Sequence, residues 1–161
     1  MKNYRDSGAV GALLDEYERA VEELKILIGT VNSEELKALV DKETPDMDCR
    51  SIQTILTHVV RAANCYVLEI RKSLGEEISL PARVYYNSIP EYLNALNDLF
   101  QFTEKLFLDY PLLKLEEPDP QQKIVVSWGQ SYDVEQLIEH AIVHILRHRR
   151  QIERFLIRLR N

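Results

Sequence analysis

The chain has 161 residues and a mass of 18.8 kDa, with 45% hydrophobic and 29% charged residues, the size and balance of one globular domain that can bury a core without disulfide staples. Lys and Arg total 20 against 26 Asp and Glu, a net charge of −6, so the basic surface from which nucleic-acid binding draws its affinity is not expected. No apolar run approaches the roughly 20 residues of a membrane span, the first residues lack a signal-peptide pattern, and Cys49 and Cys65 are too few for a disulfide framework, which together predict a reduced, cytoplasmic, single-domain protein over residues 1–161.

The first predicted helix runs from about Gly11 to Ile28, with Leu13, Leu14, Tyr17, Val21, Leu24 and Ile28 at three- and four-residue steps and Gly29 as its C-cap. A short amphipathic piece, SEELKALV from Ser33, precedes a loop, DKETPDMDC, that contains Pro45. The second long helix is predicted from an N-cap at Ser51 to about Ser73, stopped by Gly75, with Ile52, Leu56, Val59, Ala63, Tyr66 and Ile70 on one face. Ser88-Ile-Pro-Glu91 reads as a capping box with Pro90 in the first turn, opening a third helix to about Asp109. Its apolar set is Leu93, Leu96, Leu99, Phe100, Phe107 and Leu108, and Pro111 ends it.

The segment from Pro111 to Tyr132 holds three prolines and one extended run, KIVVSW, before Gly129, so a long crossover with a short strand or hairpin is expected. Asp133, with Gln136 three residues on, caps a last helix whose periodicity continues to the C-terminus. There is no internal repeat and no low-complexity segment. Four amphipathic helices and one long connection predict an all-α fold, a four-helix bundle with a crossover before the last helix.

All four histidines fall in these helices: His58 in the second, and His140, His144 and His148 at i, i+4, i+8 in the last. At about 100° per residue, with the apolar face centred on Val134, Ala141, Ile145, Ile152 and Leu159, His148 lies roughly 40° from the centre, His144 roughly 80° and His140 roughly 120°. His144 and His148 therefore turn inward, His140 stays at the wet edge, and His58 borders the apolar arc between Ile55 and Ala62. Two imidazoles one turn apart and a third from a facing helix form the three-ligand face that metal centres use, leaving a position open to water or substrate. Neutral imidazole suits several divalent metals, so the ligands do not choose among them. The alternative is that these are hydrogen-bonded core histidines with no metal.

With these residues in view, the chain resembles the DinB/YfiT-like family of metal-binding four-helix bundles. The resemblance rests on SIQTILTHVVRA in the second helix and HAIVHILRHRRQI in the last, against a family signature of the form HxxxHxxxHRGQ, and extends over essentially the whole length. It implies that His58, His144 and His148 hold a divalent metal, commonly Zn or Ni, with waters in the open positions. Arg150 stands where the family has glycine, which places a bulky cation beside the metal-bearing turn without removing a ligand. The resemblance further implies an enzyme acting on a small molecule, since relatives include S-transferases that use a low-molecular-weight thiol, bacillithiol or mycothiol, and a mycothiol-dependent maleylpyruvate isomerase. A thiol-dependent S-transferase or hydrolase is the expectation. The alternative is a non-catalytic stress-response or binding module with a vestigial or structural metal site.

Other residues carry weaker signals. Gln151, three residues past His148, is placed to orient a ligand histidine or a bound water, or else is simply solvated. Cys65 lies about 10 Å along the helix from His58 and reads as packing; Cys49 falls in a loop. Tyr66, Tyr85, Tyr86 and Trp128 either line a pocket mouth or pack. The last 21 residues hold six arginines against Glu153, a local +5 that leaves −11 for the other 140. That charge complements a helix C-terminus, or holds an anionic substrate or cofactor near Arg147 or Arg150. No carboxylate is expected beside the triad, because Glu69 shares the His58 face but lies about 16 Å along it, and no residue is assigned as catalytic acid or base. Homodimerisation suits such a bundle, with nothing to specify an interface.

Overall fold

A computed structural model describes residues 4–161. Helix α1 spans Gly8–Ile28, and a one-turn α2 spans Ser33–Lys37. A 3-10 turn at Met47–Cys49 leads into α3, Ile52–Ser73; α4 spans Ile89–Asp109. Two short antiparallel strands, β1 at Ile124–Val125 and β2 at Ser131–Tyr132, precede α5, Val134–Arg160. The fold is all-α apart from that hairpin, whose register pairs Ile124 with Tyr132 and Val125 with Ser131. Gly129, with φ +86°, supplies the left-handed backbone its turn needs.

The four long helices pack about a common core, chiefly through α1 on α5, α5 on α3, α3 on α4 and α4 on α1. The apolar stripes read from the sequence supply most of that core, and Leu106, Leu137 and Ile138, outside those sets, join it. Tyr17, Leu24 and Ile28 of α1 meet Ile52, Leu56 and Ile70 of α3, Leu96 and Leu106 of α4, and Leu137, Ile138 and Ile152 of α5, all essentially inaccessible. At about 1.5–3 kcal/mol for each fully buried large apolar side chain, this burial outweighs the surface ion pairs, each worth about 0–1 kcal/mol. Among the described residues, no helix is long and apolar enough to cross a membrane.

Local chemistry sets the helix ends that matter for the site. Ser51 accepts from the Thr54 N–H at 3.1 Å, and Asp133 accepts from the Gln136 N–H at 2.9 Å, each within a reciprocal capping box. The box expected at Ser88 does not form. Its hydroxyl donates instead to Glu91 Oε2 at 2.6 Å, a bond to a carboxylate that is stronger than one from the backbone amide. Three smaller differences also appear. Helix α1 begins at Gly8 rather than near Gly11, and α2 stops at Lys37. Leu108 is 78% exposed, because Phe107 occupies the inward position and the next residue is turned about 100° away.

The loop between α2 and α3 folds back on itself. The Arg50 carbonyl accepts from the Val40 and Asp41 amides, and the Arg50 guanidinium donates to the Thr44 carbonyl. These bonds hold Asp46, Asp48 and Cys49 over the first turns of α3. The extended segment between α3 and α4 crosses the same region, held by Gln53 Nε2 on the Tyr86 carbonyl at 2.7 Å and by Arg83 paired with Asp48.

Candidate metal centre

Helix α3 carries His58 and α5 carries His144 and His148, and the packing of these helices brings the three rings together. Ring centroids lie 4.9 Å apart for His58 and His144, 5.1 Å for His58 and His148, and 4.4 Å for His144 and His148. One nitrogen from each ring falls within 4.8 Å of the other two, and the Nε2 atoms of His58 and His144 are 2.9 Å apart. His144 and His148 are 5% and 3% exposed, the inward placement expected from periodicity. His140 remains at the edge, with its Nδ1 3.4 Å from the Tyr132 hydroxyl and its ring stacked on His144.

The outer nitrogens are held by partners from loop and helix. His58 Nδ1 lies 3.2 Å from Asp48 Oδ2; a carboxylate only accepts, so the proton sits on Nδ1 and the Nε2 lone pair faces inward. His148 Nδ1 lies 3.0 Å from Gln151 Oε1, which fixes the same tautomer. Its Nε2 is buried with no hydrogen-bond partner among the described residues. A buried lone pair left unpaired costs about 1–3 kcal/mol, and here it is aimed among two other imidazoles.

Burial keeps these rings neutral. Desolvation, reinforced by His148, His58 and Arg147, pushes His144 down to about 2. Desolvation likewise lowers His148 to about 4 despite its bond to Gln151. His58 is also lowered, because desolvation outweighs the opposing pull of Asp48 and Asp46. Near neutral pH all three rings are thus uncharged, the form a metal requires, and in the 2.9 Å contact of His58 and His144 one Nε2–H donates to the other ring's lone pair, a proton that a metal would displace. The donor set of three imidazoles, one with an orphaned buried nitrogen and two with their outer N–H groups anchored, fits a divalent cation.

Two cavities meet at the histidines. One, of about 460 Å³, is polar and is lined by His58, His148, Gln151, Cys49, Asp46 and a row of α5 arginines. The other, of about 370 Å³, is lined by His58, His144, His140, Tyr66, Trp128 and Cys65, among others. Tyr66 packs edge-on against Trp128 at 5.6 Å and against His144 at 5.7 Å. Trp128 is brought there by the β1–β2 hairpin, which Glu69 anchors by accepting from the Ser127 amide at 3.1 Å. A more apolar cavity of about 470 Å³, beside the crossover, contains no histidine or cysteine.

Arg147 lines both histidine cavities, and Arg150 lines the polar one. Cys65 is buried, as expected of a packing residue, yet it also borders the aromatic cavity. Tyr66 and Trp128 line that cavity, whereas Tyr86 packs on Tyr92 at 5.2 Å. Cys49 lies between Asp46 Oδ2, at 3.3 Å, and Gln151 Oε1, at 3.7 Å. One expectation is overturned: a carboxylate does stand beside the triad. Asp48 reaches His58 from the loop before α3, where helical periodicity carries no information about direction. The only signal for it was an Asp-Met-Asp sequence just ahead of the Ser51 cap. The sequence matches no protein-family model and no curated protein.

Proposed function

We propose that this protein is a divalent-metal-dependent enzyme of the DinB/YfiT-like kind, with a four-helix-bundle fold and a metal held by His58, His144 and His148. The observation that carries this reading is the buried His148 Nε2, unpartnered and converging with the nitrogens of two other neutral imidazoles beside a solvent-reaching polar cavity. When bound, such a cation supplies Lewis acidity, making a thiol or a water more acidic at neutral pH. Asp48 and Gln151 keep the outer nitrogens of His58 and His148 protonated and the rings fixed in direction. Tyr66 and Trp128 give the cavity on one side of the histidines an aromatic wall, while the polar cavity admits the reactant on the other. The reaction class is thiol-dependent group transfer or hydrolysis on a small molecule, with Zn or Ni as the cation. The polar cavity, within the roughly 300–1,000 Å³ of small-ligand sites, supports a small-molecule substrate, and the net charge of −6 supports excluding nucleic acid.

The test is metal content by elemental analysis of wild type, His58→Ala and His148→Ala after reconstitution with Zn or Ni, at matched circular dichroism. The expected result is near one metal per wild-type chain, lost in both variants while the fold persists. No metal in the reconstituted wild type would sink the proposal. A wild type that unfolds when its metal is chelated would move the reading to a structural site.

A further inference from the structure

Beside the histidines, α5 presents a second group of side chains that takes no part in holding a cation. Arg147, Arg150, Arg154 and Arg158 recur at three- and four-residue steps on one helix face, and all four line the polar cavity that His58 and His148 also border. The chain has twelve arginines. Each of the other eight donates to a carboxylate or a backbone carbonyl. These four make no hydrogen bond or ion pair with any described residue. In a protein with 26 acidic residues, the unpaired guanidinium groups are thus gathered at one place.

The helix dipole accounts only for Arg158, which lies in the last turn, since its influence fades beyond that turn and Arg147 lies 13 residues before Arg160, more than three turns from the end. Nor do the two carboxylates in the cavity wall neutralise them. Asp41 accepts from the Glu43 and Thr44 amides and Asp46 from the Asp48 amide, so four guanidinium groups face two backbone-satisfied carboxylates, a net of +2. Guanidinium is the cation suited to planar, two-point recognition of carboxylate and phosphate.

We infer that the arginine-lined cavity is an anion subsite that takes a small molecule bearing at least two carboxylate or phosphate groups, held chiefly by Arg150 and Arg154, with the molecule's other end directed to the histidine cluster. From Arg147 to Arg158 the helix rises about 16 Å, so the row can grip separate anionic groups on one ligand. That this is the substrate's binding site rests on the metal-centre reading above; the binding of anions there does not.

Calorimetric titration of tricarballylate and of inorganic phosphate into chelator-treated protein, at fixed ionic strength, tests the inference. Four proteins serve: wild type, Arg150→Gln/Arg154→Gln, Arg150→Lys, and His58→Ala/His148→Ala. Both glutamine substitutions fall on exposed positions, and circular dichroism checks the fold. At least one probe should bind wild type at a single saturable site, weaken by about tenfold or more for each arginine removed, and bind Arg150→Lys with intermediate strength. The histidine variant should bind as wild type does. Tricarballylate alone binding would identify carboxylates as the ligand groups, and phosphate alone would identify a phosphoryl group. Equal binding by the double-arginine variant, loss of binding in the histidine variant, or no saturable binding of either probe would each overturn the inference. Metal content of the double-arginine variant should match wild type, so the failure of either idea shows separately.

Discussion

Asp48→Asn separates support of the centre from support of the fold. Asp48 stands between two partners: His58 Nδ1 at 3.2 Å from Oδ2, and Arg83, which its carboxylate also binds. Its side chain is 17% exposed and that of Arg83 37%, so the Arg83 pair belongs to the partly screened class worth about 0–1 kcal/mol to folding. Its bond to the ligand histidine acts differently, by fixing tautomer and ring direction and by raising the basicity of the facing nitrogen. Loss of such a partner typically weakens metal binding about 10–100-fold, or about 1.4–2.8 kcal/mol. The substitution should therefore cost more in Zn affinity than in unfolding free energy. Competition with a chromophoric chelator at neutral pH measures the first, and urea denaturation of the metal-free protein measures the second. Arg83→Gln is the companion variant, because it breaks the Arg83 pair while leaving the carboxylate on His58, and its Zn affinity should equal or exceed that of wild type. A Zn affinity for Asp48→Asn within about twofold of wild type, with the fold intact, would refute the role assigned to Asp48, since even a weak outer partner is worth about tenfold.

The metal-free protein should lose stability as pH falls below about 6.5. His148 is held to about 4 and His144 to about 2 in the folded state, so the unfolded chain takes up protons first, and each such histidine removes up to about 1.4 kcal/mol per pH unit below its unfolded value; a urea midpoint that held or rose between about pH 7 and pH 5 would contradict this. Asp133→Ala removes the acceptor for the Gln136 amide, 2.9 Å away, and the Lys123 contact at 3.2 Å. It should cost about 1 kcal/mol while leaving metal content unchanged, because His144 lies eleven residues further along α5. Leu96→Ala, at a fully buried position in α4, should cost about 2–5 kcal/mol by chemical denaturation.

The apolar periodicity of the four long helices was enough to place the core, because in each the burial of one face dominates the energetics and repeats along the chain. Even there the pattern is blunt at the ends. Leu108 and Leu159 belong to apolar sets by spacing, yet they are exposed, 78% and 36% respectively, near the helix ends. The Ser88 box was legible as a motif but not as a geometry. The Ser88 hydroxyl can accept from the Glu91 amide or donate to the Glu91 carboxylate, as it does here, and the spacing of the letters does not state which bond is stronger.

The site divides along the same line, and the division has a physical cause. A helix converts sequence separation into direction, so the inward turn of His144 and His148, and the approach of Gln151 to His148, could be computed from the 3.6-residue repeat. A loop makes no such conversion. Asp48 is ten residues from His58 in sequence, and what brings them together is a chain of bonds none of which is periodic: Arg50 closing the loop on Thr44, Asp46 receiving the Asp48 amide, and Ser51 capping α3. The arginine row stands between these cases. Its spacing was readable as one face of α5, and so was a cationic helix end that a dipole alone would favour. What decides between the dipole and a ligand is whether each guanidinium has a partner, and that depends on every carboxylate elsewhere in the fold. Arg149 is the control within the same helix: it is adjacent in sequence to Arg150, turned about 100° from it, and paired with Glu23 of α1 and Glu153. The protein thus uses neighbouring arginines for opposite purposes, one closing the α1–α5 contact and four left without a partner among the described residues around the polar cavity beside the histidines.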